Sequence, residues 1–195
     1  MTVANALTIL RLLLIPVFVD AVWYESHGVA FWVFSVAGLT DLLDGALARW
    51  LHQRSRLGEY LDPAADKFLL VSAFLVLSIP SIHLRHHMPV WLMTMVIARD
   101  VIIVTSAAVI HLTTGNVRFK PTWLGKASTG TQVATIFVLL AMNYLDRDSI
   151  LVPTALAATF LATFASGVHY MFRARALVET PTLRVGESKD GAKQG

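Results

Sequence analysis

No cysteine occurs in this chain of 195 residues. Zinc held by thiolates, disulfide staples and thiol nucleophiles are thereby excluded. The redox compartment stays open, because a cysteine-free chain suits either kind. Charge is scarce as well. Asp, Glu, Lys and Arg make up 15% of the chain, hydrophobic residues 55%, and the mean hydropathy is +0.61. A soluble domain carries about a quarter charged residues, so lipid rather than water is the expected solvent. Polar linkers between the apolar stretches are missing, which makes the chain one unit. No internal repeat is visible, so an inverted-repeat transporter is not signalled. An aromatic-basic nucleic-acid motif is also lacking. The net charge of +3 therefore reads as positive-inside bias and contact with anionic lipid, with no nucleic acid as partner.

What the chain does have is apolar segments near the length of about 20 residues that a transmembrane helix needs. They fall at roughly 7–23, 29–48, 64–81, 89–112, 124–144 and 149–172, and predict an all-α integral membrane protein of six spans. The first carries Arg11 and Pro16 and lacks a basic leader, which argues against a signal peptide. Pro16 predicts a kink, since it removes a backbone donor. Basic residues mark alternate connections: Arg49, Arg54 and Arg56 after the second segment, Arg118 and Lys120 after the fourth, and Arg173 and Arg175 after the sixth. The odd connections are nearly neutral, and the His83, His86 and His87 group in the third reads as a solvated loop. By the positive-inside rule both termini and the 49–58 and 113–123 loops face the cytoplasm. The expected membrane domain is 1–175. The polar tail, 176–195, cannot bury enough apolar area to order itself.

Four aspartates, Asp41, Asp44, Asp62 and Asp66, lie in or beside the second and third segments. A charged group at the bilayer centre costs about 2.5–3.5 kcal/mol on insertion scales, so their clustering needs a reason. Asp41 and Asp44 are three apart and Asp62 and Asp66 four apart, so each pair shares a helix face. The short connection 50–58 predicts that the two helices are antiparallel neighbours, with all the carboxylates converging at the cytosolic face. Oxygen-only ligands suit Mg²⁺ or Mn²⁺ (or Ca²⁺) rather than soft metals, and a cluster this rich has room for two ions. The plainer alternative is a set of helix-end carboxylates meeting Arg49, Arg54, Arg56 and Lys67. Gly45, Ala48 and Gly58 surround the acids and allow close approach of a helix or a ligand. Arg49 can pair with a diphosphate.

Asp41-x2-Asp44-Gly45-x2-Ala48-Arg49-x8-Gly58-x3-Asp62-x3-Asp66 resembles, without a departure, the signature of the CDP-alcohol phosphotransferase family. The opening Asn5-x-Leu7-Thr8-x2-Arg11-x4-Pro16 is also similar to members of that family. The resemblance implies six helices, usually a homodimer, and a site open to the cytosol. It implies two divalent ions on Asp41, Asp44, Asp62 and Asp66, and CDP contacts at Thr8, Asp41, Gly45, Arg49 and Gly58. Asp66 would be the general base. The implied reaction transfers a phosphatidyl group from CDP-diacylglycerol to an alcohol and releases CMP.

The acceptor rests on other residues. Arg99-Asp100 sits inside the fourth segment, where ionisable groups are usually functional, although a self-neutralising pair is the simpler reading. Arg118, Lys120 and Lys126 form a second basic group able to hold a phosphate or a lipid headgroup. His169, Tyr170, Arg173 and Arg175 read as interface anchors. Within the family, Ala37 to Gly45, Arg99-Asp100-Val101 and Lys120-Pro121-Thr122 resemble cardiolipin synthases of the eukaryotic type, which implies phosphatidylglycerol as acceptor. Gly125-Lys126 and Ser166-Gly167-x2-Tyr170 are similar to phosphatidylglycerophosphate synthases, which implies glycerol 3-phosphate. A metal-ion transporter is the alternative of a different class. It would need polar residues continuing across the bilayer, whereas the outer halves of segments two and three are rich in Phe, Val and Leu.

Overall fold

The computed structural model describes the backbone of residues 3–51, 56–114 and 123–179, and the side chains of 7–40, 64–106 and 123–170. These residues form helices and loops and no strand: α1 Val3–Trp23, α2 His27–Leu51, α3 Arg56–Leu77, α4 Val90–Thr114, α5 Trp123–Leu145 and α6 Leu151–Glu179. The six expected segments are all helical. α3 starts well before its apolar run, because its first two turns are polar and an apolar window misses them. α6 likewise runs on to Glu179 through the basic stretch around Arg173. α1 is continuous through Pro16.

Backbone hydrogen bonds explain where two helices stop. Ser26 N–H donates to Ala21 O (2.8 Å) and Glu25 N–H to Val22 O (3.1 Å). Arg147 N–H donates to Met142 O (3.2 Å) and Asp146 N–H to Asn143 O (3.4 Å). Both are Schellman caps, which require a left-handed residue just past the helix. Glu25 (φ 57°) and Asp146 (φ 49°) supply it without being glycine. α6 opens on Ser149, whose hydroxyl accepts the Leu151 N–H at 3.2 Å.

α1 packs against both α2 and α3, α5 packs closely against α6 and also meets α2, and α4 leans on α6. α2 and α3 are not a close pair among the described residues. The helix ends around the 50–58 connection, where the two were expected to be antiparallel neighbours, lie largely outside the described residues; in the described part α1 lies against both, and small buried residues (Ala21, Ala30, Ala37, Ala65, Ala73) permit that approach.

The bundle is graded from end to end. Around the 24–26, 78–89 and 146–150 connections lies the apolar core: Phe18, Phe34, Phe74, Leu77, Leu92, Ile136 and Leu139 are all nearly or fully buried. The buried charged groups Arg11, Arg99 and Asp100 lie towards the opposite end, with Thr8, Thr40, Ser128, Gln132, Thr163 and Ser166, while Thr135, Thr159, Ser78 and Asn143 carry buried polarity on into the core end. Large apolar side chains such as Trp32, Phe68, Val104, Leu161 and Phe164 face outward. Leu151–Tyr170 is long and apolar enough to cross a membrane, and His27–Thr40 is a shorter apolar stretch. α1, α3 and α4 have the length for a bilayer but carry Arg11, Asp66 with Lys67, and Arg99 with Asp100.

The three neutral connections are tied together. Arg85 donates from Nε and Nη2 to the two oxygens of Asp148 (3.0 and 2.8 Å) and from Nη1 to Asp146 Oδ1 (2.8 Å). His83 meets Glu25 Oε1 through its ring at 2.7 Å and its backbone N–H at 3.3 Å. Asn143 clasps the His86 backbone, accepting its N–H and donating to its carbonyl, each at 3.0 Å. The histidine group is thus more than a solvated loop: His83 and His86 fasten the α3–α4 connection to its neighbours.

Candidate active site

Five of the charged residues that hydropathy makes anomalous pair off in two adjoining groups. Arg11 on α1 is 1% exposed, and its Nη1 donates to Asp66 Oδ1 on α3. One residue further along α3, Lys67 donates to Asp100 Oδ2 on α4. Asp100 Oδ1 accepts from Arg99 Nη1 at 2.8 Å, and Arg99 Nη2 donates to Ser166 Oγ on α6. The Arg99 guanidinium also lies 6.0 Å from the centroid of the Tyr170 ring. Arg99-Asp100 is therefore not a self-neutralising pair. Two cations share one carboxylate, and the group keeps a positive balance.

Two cavities flank this network. One, of about 650 Å³, is lined by Phe34, Ala37, Gly38 and Leu39 of α2, Leu69 and Leu70 of α3, and Thr129, Gly130, Val133, Ala134, Phe137 and Val138 of α5, with Arg11 and Asp66 among its walls. It is mostly apolar, and it occupies the gap left between α2 and α3. The other, of about 440 Å³, is lined by Arg99, Ile103, Gly125, Lys126, Thr129, Gly130, Val133 and Tyr170. Thr129, Gly130 and Val133 belong to both walls.

α5 is held for this task by its other face. Ser128 and Thr163 share a hydrogen bond at 3.2 Å, Thr135 and Thr159 one at 2.7 Å, and Thr135 donates to Ala155 O at 2.9 Å. Threonine and serine suit such a face because they are small and their hydroxyls pair across helices. The opposite side of α5 is left to line the cavities.

Of the sequence candidates, the described side chains include Thr8, Asp66, Arg99 and Lys126. Thr8 is buried on α1, one helical turn from Arg11. Arg99 and Lys126 come together in one cavity wall. Asp41, Asp44, Gly45, Arg49, Gly58 and Asp62 lie on helical backbone outside the described side chains, and Arg118 and Lys120 lie outside the described residues. Among the described residues no three carboxylate or imidazole groups converge to hold a metal. The donor type nonetheless fits a hard divalent ion: Asp66, the one described member, presents a half-exposed carboxylate at a cavity wall.

Sequence reading gave Arg11 no part in the site. The signal was present, since an arginine inside an apolar segment is a functional candidate by default. Lys67 and Asp100 were visible only as members of simpler pairs, and Tyr170 only as an interface anchor. Their partnership depends on α3, α4 and α6 meeting in space. The transporter alternative meets an obstacle, because among the described residues the charged groups stop at Arg11, Asp66, Lys67, Arg99 and Asp100, and beyond them the core around Phe74 and Ile136 holds only neutral polar side chains such as Thr135, Thr159 and Asn143.

The sequence model for CDP-alcohol phosphatidyltransferase matches residues 1–168. The chain belongs to that family. It is 34% identical over 197 residues to the rat cardiolipin synthase (CMP-forming), a match covering 91% of this chain and 63% of the relative. The human cardiolipin synthase (CMP-forming) matches with the same identity and coverage. A probable phosphatidylglycerophosphate synthase of Mycobacterium tuberculosis is 34% identical over 180 residues, covering 88% of this chain and 80% of the relative. The chain thus spans a little under two thirds of the length of the cardiolipin synthases it matches.

Proposed function

We propose that this CDP-alcohol phosphatidyltransferase is a cardiolipin synthase, transferring a phosphatidyl group from CDP-diacylglycerol to phosphatidylglycerol with release of CMP. The carrying observation is the junction of two unlike cavities. One has the Arg11-bound Asp66 in an apolar wall, and the other has Arg99 and Lys126. A carboxylate beside an apolar space suits a hydroxyl delivered by a lipid. Two cations beside it suit the phosphate that the same acceptor carries.

Asp66 would accept the proton of the acceptor hydroxyl as its oxygen attacks the β-phosphorus of the donor. The bond from that phosphorus to the bridging oxygen breaks, and CMP leaves with the electron pair. Arg11 holds the Asp66 carboxylate in place, and Arg99 with Lys126 would hold the acceptor phosphate. Asp41, Asp44, Asp62 and Asp66 would bind the divalent ions, Mg²⁺ or Mn²⁺, which neutralise the diphosphate. Thr8, Gly45, Arg49 and Gly58 would face the CDP group, and Arg118 and Lys120 would extend the basic acceptor wall.

We read the chain as spanning the membrane six times, with the site and both termini at the cytoplasmic face. The outward apolar side chains and the neutral connections gathered at one end support this. Homodimer formation follows from the family resemblance.

Glycerol 3-phosphate is the second acceptor reading, favoured by the similarity to the mycobacterial phosphatidylglycerophosphate synthase. One assay separates the two. Purified protein is given CDP-diacylglycerol with Mg²⁺ or Mn²⁺, and CMP release is followed with phosphatidylglycerol or with glycerol 3-phosphate. Release with phosphatidylglycerol is expected; release with glycerol 3-phosphate alone replaces the acceptor, and no release with either overturns the enzyme reading.

A further inference from the structure

Gly130 lies on α5 where the two cavities meet, as a wall of both. It is exposed to that space, and a β-carbon built on it would meet nothing within 4 Å. Helix packing therefore does not explain the glycine. In a helix interior glycine is less stabilising than alanine, so the position gives up stability for open room. On one side lies Asp66, on the other Arg99. Arg99 is nine-tenths buried, and its Nε has no hydrogen-bond partner among the described residues.

A glycerol unit bearing a phosphate has a hydroxyl at one end and the anion at the other, joined by carbons. With the hydroxyl at Asp66 and the phosphate at Arg99 and Lys126, the joining carbons cross α5 at the shared wall. We propose that Gly130 is a specificity-determining residue for the acceptor: its missing side chain is the gap through which the acceptor's glycerol carbons pass from the basic cavity to the base. This rests on the acceptor reading above, and holds whether the phosphate belongs to a phospholipid or to free glycerol phosphate. Both present the same glycerol phosphate unit.

The test compares Gly130→Ala and Gly130→Leu with wild type, measuring KM separately for donor and acceptor together with thermal stability in detergent. Both substitutions raise helix propensity, and their β-carbon meets no packed atom, so the melting temperature should hold or rise. The acceptor KM should rise with side-chain size, by about tenfold or more for leucine, the scale on which pockets reject surplus methylenes. The donor KM should stay within about twofold. A Gly130→Leu enzyme with an unchanged acceptor KM would overturn the inference, as would a rise confined to the donor KM. Falling stability in step with falling activity would assign Gly130 to packing and equally overturn it. Wild type that releases no CMP with any acceptor would instead defeat the underlying function, and this inference with it.

Discussion

Arg11 of α1, 1% exposed, donates a hydrogen bond to the carboxylate of Asp66 on α3. The pair joins the opening apolar helix to the aspartate that the family signature nominates as base. Such a guanidinium is fully desolvated and is worth its burial only while its partner is present. Asp66→Asn should abolish CMP release yet leave the protein folded, because the amide oxygen still accepts the Arg11 N–H. Arg11→Ala should lose activity and also destabilise, by about 2–4 kcal/mol from the vacated volume and the lost pair. Arg11→Lys should restore part of the stability. Activity and detergent melting curves of the three variants check this. An Asp66→Asn enzyme with full turnover would remove Asp66 from the role of base.

Asp100 is the one carboxylate among Lys67, Arg99 and Ser166. Asp100→Asn leaves two cations facing one neutral amide. Stability should drop by about 1–3 kcal/mol, the usual cost of a broken buried charge partner that keeps a hydrogen-bond acceptor. The acceptor KM should rise more than the donor KM, because Arg99 loses the group that aims it. Arg99→Lys should show the same KM asymmetry, since an ammonium cannot bond Asp100 and Ser166 in the same fork. Equal rises for both substrates would place the network outside the acceptor site.

At the other end of the bundle, pH should act through the connections. The hydrogen bond from Arg85, reinforced by its charge, holds the Asp148 carboxyl below its ordinary value. The side-chain and backbone hydrogen bonds of His83 do the same for Glu25. A carboxylate whose folded pKa is lowered adds stability above its unfolded pKa and loses it as pH falls through the folded value. Melting temperature should therefore be insensitive to these groups near neutrality and should decline below about pH 4. Arg85→Ala should remove the Asp148 part of that decline. A variant and wild type with superimposable acid limbs would contradict this account.

The hydroxyl ladder between α5 and α6 predicts a non-additive pair. Thr135→Val removes the partner of Thr159 and the bond to Ala155 O, at about 1 kcal/mol. Adding Thr159→Val should cost less than it does alone, since no buried hydroxyl then remains unpaired. A double-mutant cycle on melting free energies measures the coupling. Strict additivity would mean that the two hydroxyls do not sustain each other.

Much of the fold was legible along the chain. Apolar runs of bilayer length located the helices. The aspartate spacing specified the family, because i, i+3 and i, i+4 geometry needs only a local helix. Helix ends were less legible: α3 begins in a polar stretch that hydropathy cannot distinguish from a loop, and Glu25 and Asp146 cap helices where glycine would be expected.

Sequence by itself therefore determined the helical, apolar architecture, the signature of the donor chemistry and the candidates Asp66, Arg99 and Lys126. Each depends on residues near one another in the chain. Tertiary structure alone decided that Arg11 holds Asp66, that Asp100 serves Lys67 as well as Arg99, and that Gly130 stands between two cavities. The first two relations join α1 to α3 and α3 to α4, and the third depends on where α5 stands among its neighbours. A buried charge is satisfied by whichever helix packing brings to it, and no periodicity within a helix encodes that partner.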